Sequence, residues 1–198
     1  GRLRSLPAAR LIELFGSAGE HYWRLAQGLD DRRVVPDREA KSISHETTFA
    51  ADIADMEVLR AWLLELVEQV GRRLRRHNLK GHTVELKVRF ADFRTITRSL
   101  TLAEPTCISQ ELWNAGVELL TTRLPPGHLS VRLLGFGASG LGSSPSQGQL
   151  FDDDERQKLR QLDEVADRIQ ERFGRSALSR ASGLAHQAQH KPRPRPDV

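Results

Sequence analysis

Cysteine is almost missing from these 198 residues. Cys107 stands alone, which excludes a disulfide within the chain and any metal site built from several thiolates. Its neighbours match no nucleophile arrangement, so it reads as a small apolar filler. Long hydrophobic runs are missing too: none approaches a membrane span or a signal-peptide core, and a soluble, cytoplasmic chain is expected. Aromatic residues make up 6% and all apolar residues 38%. That is low for one compact domain, so part of the length is expected to be unfolded tail. Neither GxxxxGK[ST] nor GxGxxG occurs, which removes the common phosphate-cradling loops. The first residue is Gly1 and a helical pattern follows at once, as in a piece of a longer protein.

The acids and histidines do not assemble into a catalytic set. Asp152, Asp153, Asp154 and Glu155 are consecutive at a helix start, where the dipole favours acids anyway, and nothing nearby completes an oxygen shell. His186 and His190 are four apart but have no third ligand beside them. No catalytic residue, metal site or cofactor is expected in the chain as given.

What is present is a periodic α+β pattern. Residues 5 to 29 read as two short helices. Ser5 is a cap candidate for the first, Pro7 suits its opening turn, and Leu11, Leu14 and Phe15 form its apolar stripe. Gly16 to Gly19 break the pattern; Tyr22, Trp23, Leu25 and Ala26 resume it until Gly28. This pair has too little apolar surface to make a core by itself. A polar, Pro-containing stretch from Asp30 to Ala40 then reads as linker.

From Lys41 to Phe49, β-branched residues alternate as in a strand. Asp55 to His77 is the clearest helix: Leu59, Trp62, Leu63, Leu66, Val70 and Leu74 share one stripe. Asp52 and Asp55 are cap candidates, and Asn78 and Gly81 supply a stop. Thr83 to Phe90 places Val84, Leu86, Val88 and Phe90 on one face, with Glu85, Lys87 and Arg89 on the other. A turn at Asp92-Phe93 leads to a returning strand, Arg94 to Leu102. Ser109 is expected to cap a second helix reaching about Leu124, with Leu112, Ala115, Leu119 and Leu120 inward. Leu129 to Phe136 is a last strand. The order β-α-β-β-α-β is the split arrangement of ferredoxin-like domains.

Two helices on one face of a four-stranded sheet leave the other face open. That face would carry Ser42, Ser44, Glu46, Lys87, Arg89, Thr95, Thr97 and Ser99. Net charge is only +4, yet nine bases lie between Gly71 and Arg98 against Glu85 and Asp92 alone. Hydroxyls and cations together suit sequence-independent phosphate contacts. Alternation places Arg98 on the helix side with Ile96 and Leu100; either a bulge re-aims it or its backbone makes the contact.

Beyond Ala138 a Gly/Ser-rich linker leads to Gln147-Gly148-Gln149-Leu150-Phe151. A glutamine three residues before a Leu-Phe pair on a tether has the form of a short docking motif, though the pair could instead staple the next helix. From Glu155 to Phe173, Leu159, Leu162, Val165, Ala166, Ile169 and Phe173 recur at helical spacing. The chain ends in KPRPRPDV, an extended tail.

These pieces resemble a family. LAQGLDDRRVVPDREAKSISHETTF (residues 25–49) resembles the thumb-to-little-finger junction of Y-family (translesion) DNA polymerases of the DNA polymerase IV type. The likeness continues through LKVRFADFRTITRSLTL, the second helix and VRLLGF, and LDEVADRIQERFGRSALSRAS resembles their C-terminal extension. The resemblance implies a truncated helix-hairpin-helix thumb at 1–34, a linker at 35–40 and a little-finger domain at 41–138. A linker with a clamp-binding motif at 139–151, a helical extension at 152–182 and a disordered basic tail at 183–198 would follow. It implies that the palm and its two-Mg²⁺ site belong to the parent enzyme and are absent here, so this chain alone would not be an enzyme. Ser42, Ser44, Thr95, Thr97 and Arg98 match positions through which little fingers hold the DNA backbone. Lys41, Lys87, Arg89 and Arg94 complete the expected DNA-binding set. Gln147, Leu150 and Phe151 stand where members carry a sliding-clamp motif. The implied partners are primer-template DNA and a bacterial sliding clamp, with the chain a monomer. The alternatives are a stand-alone repair accessory protein of the same fold, or a basic α+β domain that binds RNA.

Overall fold

The computed structural model describes residues 1–35, 40–125, 127, 130–143, 153–174 and 177–178. Backbone contacts divide the chain into two units, Gly1–Glu39 and Ala40–Val198.

The first unit holds a 3-10 turn, Arg2–Ser5, and two helices, α1 (Ala8–Phe15) and α2 (Ala18–Ala26). Ser5 does not cap α1 as expected. Its hydroxyl donates to the Arg2 carbonyl at 2.9 Å, and Pro7 takes the cap position. The helices cross so closely that a Cβ on Gly19 would lie 2.2 Å from the Leu11 carbonyl oxygen. Only Leu11 of the expected stripe is buried, while Leu14 and Phe15 stay exposed. Phe15 instead meets the Tyr22 ring edge-on at 5.5 Å. The pair buries little by itself, and contrary to expectation it does not lack apolar surface: Ile12, Leu14, Phe15, Tyr22 and Leu25 stay 39–53% exposed.

The second unit is the α+β domain. Its elements are β1 (Ser42–Ile53), α3 (Met56–Arg76), β2 (Gly81–Phe90), β3 (Thr95–Thr106), α4 (Ser109–Thr122), β4 (Val131–Ser139) and α5 (Asp153–Phe173). The sheet order is β1-β4-β2-β3, with every neighbouring pair antiparallel. β1 and β2 therefore run parallel with β4 between them, and β3 and β4 run parallel with β2 between them. Both β-α-β units are split, as the element order predicts.

Alternation in β2 sets the layering. Val84, Leu86, Val88 and Phe90 are fully buried and join Leu134, Phe136 and Ala138 of β4. Against them pack Leu59, Leu63, Leu66, Val70 and Leu74 of α3 and Leu112, Ala115, Leu119 and Leu120 of α4. Asp55 caps α3, accepting the N–H groups of Glu57 and Val58 at 2.8 and 3.4 Å. Asp52, the other candidate, faces Arg132 at 3.5 Å. Asn78, at φ 53°, closes α3 as the Leu79 N–H reaches back to the Leu74 carbonyl at 2.8 Å. Gly81 is already strand: a Cβ there would sit 2.7 Å from that of Ala138.

Ser109 is not the cap of α4. Ile108 holds that position without a side-chain bond, because the needed acceptor comes from α5. The Asp163 carboxylate accepts the Ser109 N–H at 2.7 Å, and the Ser109 hydroxyl accepts from Arg75 at 3.1 Å.

That contact also corrects the apolar stripe expected for α5. Leu159, Ala166 and Ile169 of that stripe are half-buried, but Leu162 and Phe173 are 59% and 65% exposed, whereas Asp163 is 6% exposed. The helix docks through charge. Arg75 binds Asp163 at 3.0 Å and Asp167 at 2.7 Å, Arg72 meets Asp167 at 3.3 Å, and Arg76 meets Glu171 at 3.7 Å. At its other end Arg156 forks onto Glu111 at 2.6 and 3.1 Å and also binds Glu104. Burial works against the Arg75 charge, but the hydrogen bonds to Asp167 and the charge of Asp163 outweigh it and raise its pKa.

Removing Asp163 strips both the acceptor at the α4 N-terminus and one partner of Arg75. Asp163→Ala is expected to cost about 1–3 kcal/mol in urea unfolding, the penalty for a buried unpaired donor. Amide exchange should rise first in α5 while β2 stays protected. Equal loss of protection in β2 and α5 would show that the helix is not a separately docked unit.

Candidate nucleic-acid interface

The face of the sheet away from α3 and α4 is built in rows by strand register. One row runs Ser42–Ser139–Thr83–Thr101 and the next Ser44–Gly137–Glu85–Ser99. The third is Glu46–Gly135–Lys87–Thr97 and the fourth Thr48–Leu133–Arg89–Thr95. Hydroxyls dominate the two edge strands, where same-face neighbours lie about 6.8 Å apart along the strand. The middle of the face has no side chain at Gly135 and Gly137. A Cβ on Gly137 would lie 2.9 Å from the Ser44 Cβ, and one on Gly135 would lie 3.0 Å from the Glu46 Cβ. The side chains of β1 lean over β4, and only glycine accepts them.

The structure brings most of the expected residues together. Ser42, Ser44, Lys87, Arg89, Thr95 and Thr97 share the open face, with Lys41 exposed just before β1. Arg89 Nε donates to the Thr95 hydroxyl at 2.9 Å. Lys87 Nζ donates to the Glu46 carboxylate at 2.8 Å, reaching from β2 to β1 across Gly135. Arg94 stands in the β2–β3 turn with its guanidinium 5.5 Å from the Phe90 ring centre.

Arg98 is set apart. It pairs with Leu86 in unbroken register, so no bulge turns it outward. Its Nε donates to the Arg123 carbonyl at 3.1 Å, where the last carbonyls of α4 lack intrahelical partners and favour a cation. Gln147, Leu150 and Phe151 lie outside the described residues.

The basic run from Gly71 to Arg98 is not one surface. Arg72, Arg75 and Arg76 face α5, and Arg73 donates to the Ser44 carbonyl at 3.0 Å. Lys87 and Arg89 are the share of that run on the open face, and Glu46 and Glu85 stand among them. The face is a hydroxyl-lined surface of balanced charge rather than a cationic patch. Sequence reading missed the two glycines and the outer hydroxyls of Thr48, Thr83, Thr101 and Ser139. Continuing the two-residue alternation along the full length of all four strands would have found them.

Among the described residues, no group of three or more His, Cys, Asp or Glu side chains could hold a metal ion. The lone thiol of Cys107 is half-buried, and burial pushes its pKa up. Among the described residues, no helix is long and apolar enough to cross a membrane.

Residues 40–150, more than half of the chain, match the impB/mucB/samB family C-terminal domain. The chain belongs to this family. DNA polymerase IV 1 of Mesorhizobium japonicum is 37% identical over 179 residues, covering 90% of this chain and 40% of that protein. DNA polymerase IV of Desulfatibacillum aliphaticivorans is 38% identical over 191 residues, covering 95% and 48%. DNA polymerase IV of Dehalococcoides mccartyi is 34% identical over 178 residues, covering 90% and 45%. The chain spans less than half the length of these curated relatives. The impB/mucB/samB match covers β1 to β4, so the rowed face belongs wholly to the family domain; α5 lies beyond the matched residues. The DNA polymerase IV relatives agree with the Y-family resemblance carried by the junction and the FRTITRS strand.

The glycine at position 137 has a direct test. Gly137→Val would push against Ser44, and strain of this kind costs about 1–3 kcal/mol. The loss should appear in urea unfolding, with amide protection falling in β1. Unchanged stability would show that the close packing of β1 over β4 is not required.

Proposed function

We propose that this chain is the DNA-gripping and clamp-docking part of an error-prone translesion DNA polymerase. The carrying observation is the open sheet face, with its rows of hydroxyls around Lys87 and Arg89. It lies in a family domain whose relatives are named DNA polymerase IV. Hydroxyl donors and scattered cations suit a sugar-phosphate strand, because they hold phosphate oxygens without reading base edges. Lys41, Ser42, Ser44, Lys87, Arg89, Thr95 and Thr97 would grip the primer-template backbone from the sheet, and Arg94 from the adjoining turn. Arg98 would act from behind the sheet, through its backbone and by fixing the end of α4. A tethered Leu150-Phe151 pair with Gln147 would bind a sliding clamp, the leucine and phenylalanine filling an apolar pocket and the amide bonding at its rim. The wider activity, lesion bypass during repair synthesis, would require the catalytic parts of a full polymerase.

Binding that depends on a few phosphate contacts must weaken with salt. If Lys87, Arg89 and Arg94 each hold one phosphate, affinity should fall about 40-fold between about 50 mM and 200 mM salt. Fluorescence anisotropy with a labelled primer-template duplex measures this, and a flat response would remove the sheet face from the argument. Leu150→Ala with Phe151→Ala should abolish capture by a bacterial sliding clamp and leave DNA affinity unchanged. Undiminished capture would remove the docking motif.

A further inference from the structure

The contact between Glu46 and Lys87 is unusual for an exposed ion pair, because the two residues do not sit on neighbouring strands. β1 and β2 are separated by β4, so their backbones lie about 9.6 Å apart. Glu46 Oε2 and Lys87 Nζ nevertheless meet at 2.8 Å. They meet because the intervening residue is Gly135: a Cβ there would lie 3.6 Å from Glu46 Oε2, 3.0 Å from Glu46 Cβ and 3.5 Å from Lys87 Cβ. Any side chain larger than a methyl would occupy the path. The glycine gap thus lets a carboxylate lie across the centre of the open face, on the Lys87 ammonium.

We infer that Glu46 is a built-in competitor for phosphate at Lys87, an affinity-limiting residue of the nucleic-acid interface. This rests on the proposed reading of the open face. A carboxylate oxygen and a phosphate oxygen offer a lysine the same thing, an anionic acceptor. A phosphate arriving over β4 must first displace Glu46 from Lys87. The pair remains solvent-accessible, with side chains 35% and 51% exposed, so the exchange requires no rearrangement of the sheet. The consequence is a grip that is deliberately weak and readily released. Such a surface suits a partner that is engaged along its backbone and let go repeatedly, a sugar-phosphate strand rather than a fixed anion.

The experiment compares four full-length chains: the natural sequence, Glu46→Gln, Lys87→Gln and the double variant. Each is titrated with primer-template DNA across a range of salt, with thermal unfolding as the check on folding. Glu46→Gln keeps the shape and removes the charge, and it should tighten binding about three-fold, the scale of an exposed ion pair. In the Lys87→Gln background the same substitution should change nothing, because the competitor acts only through Lys87. Glu46→Thr, which favours strand, should repeat the gain if the glutamine variant is unstable. A gain that persists without Lys87 would overturn the inference in favour of general repulsion by Glu46. An unchanged Glu46→Gln affinity, with Lys87→Gln weakened, would overturn it while leaving the open face as the DNA surface. No DNA binding by the natural chain would overturn both.

Discussion

One-sided burial of the sheet is the constraint on which the domain depends. α3 and α4 seal one face with the fully buried residues of β2, and the alternate residues of every strand must then face away. Because the strand period is two, slipping one residue would exchange Leu86 and Val88 for Lys87 and Arg89 in the core. Burying those charges would be far costlier than any packing gain. The same force that drives Val84 and Phe90 inward therefore composes the outer surface, row by row. The putting together of Ser42, Ser44, Thr97 and Thr95 on one face is a by-product of core formation.

Electrostatics then divides the chain's arginines between separate tasks. Arg72, Arg75 and Arg76 on the last turns of α3 are held by α5, with Asp163 serving Arg75 and the α4 N-terminus at once. Such a network lends specificity of docking more than raw stability, since desolvating each charge offsets much of the attraction. It also explains how α5 can attach while Leu162 and Phe173 stay in solvent. On the opposite side of the sheet the same pairing principle appears in miniature, with Glu46 answering Lys87 over a bare stretch of β4.

The two surfaces differ in what they leave available. The α3–α5 contact is partly buried and closes its cations against acids of the same chain. The open face keeps its donors in water, spaced by the strand rise and interrupted by glycine. A polyanion can compete for the second set of groups at modest cost and for the first only by detaching a helix.

The sequence by itself determined the elements and their inward faces. The period of two in residues 83–90 and the three-and-four spacing in α3 act locally, and each side chain's burial follows from its neighbours along the chain. The hydroxyls of Ser42, Ser44, Thr95 and Thr97 were legible for the same reason. Four features were decided only in three dimensions: the turn of Arg98 to the α4 carbonyl, the acid that replaces Ser109 as cap, the ionic docking of α5, and the reach of Lys87 across Gly135. Each joins residues from different elements, 25 or more positions apart in sequence in every case. Polar partners of this kind carry no periodic signature, because a charge is satisfied by whichever group the packed elements bring within hydrogen-bond distance.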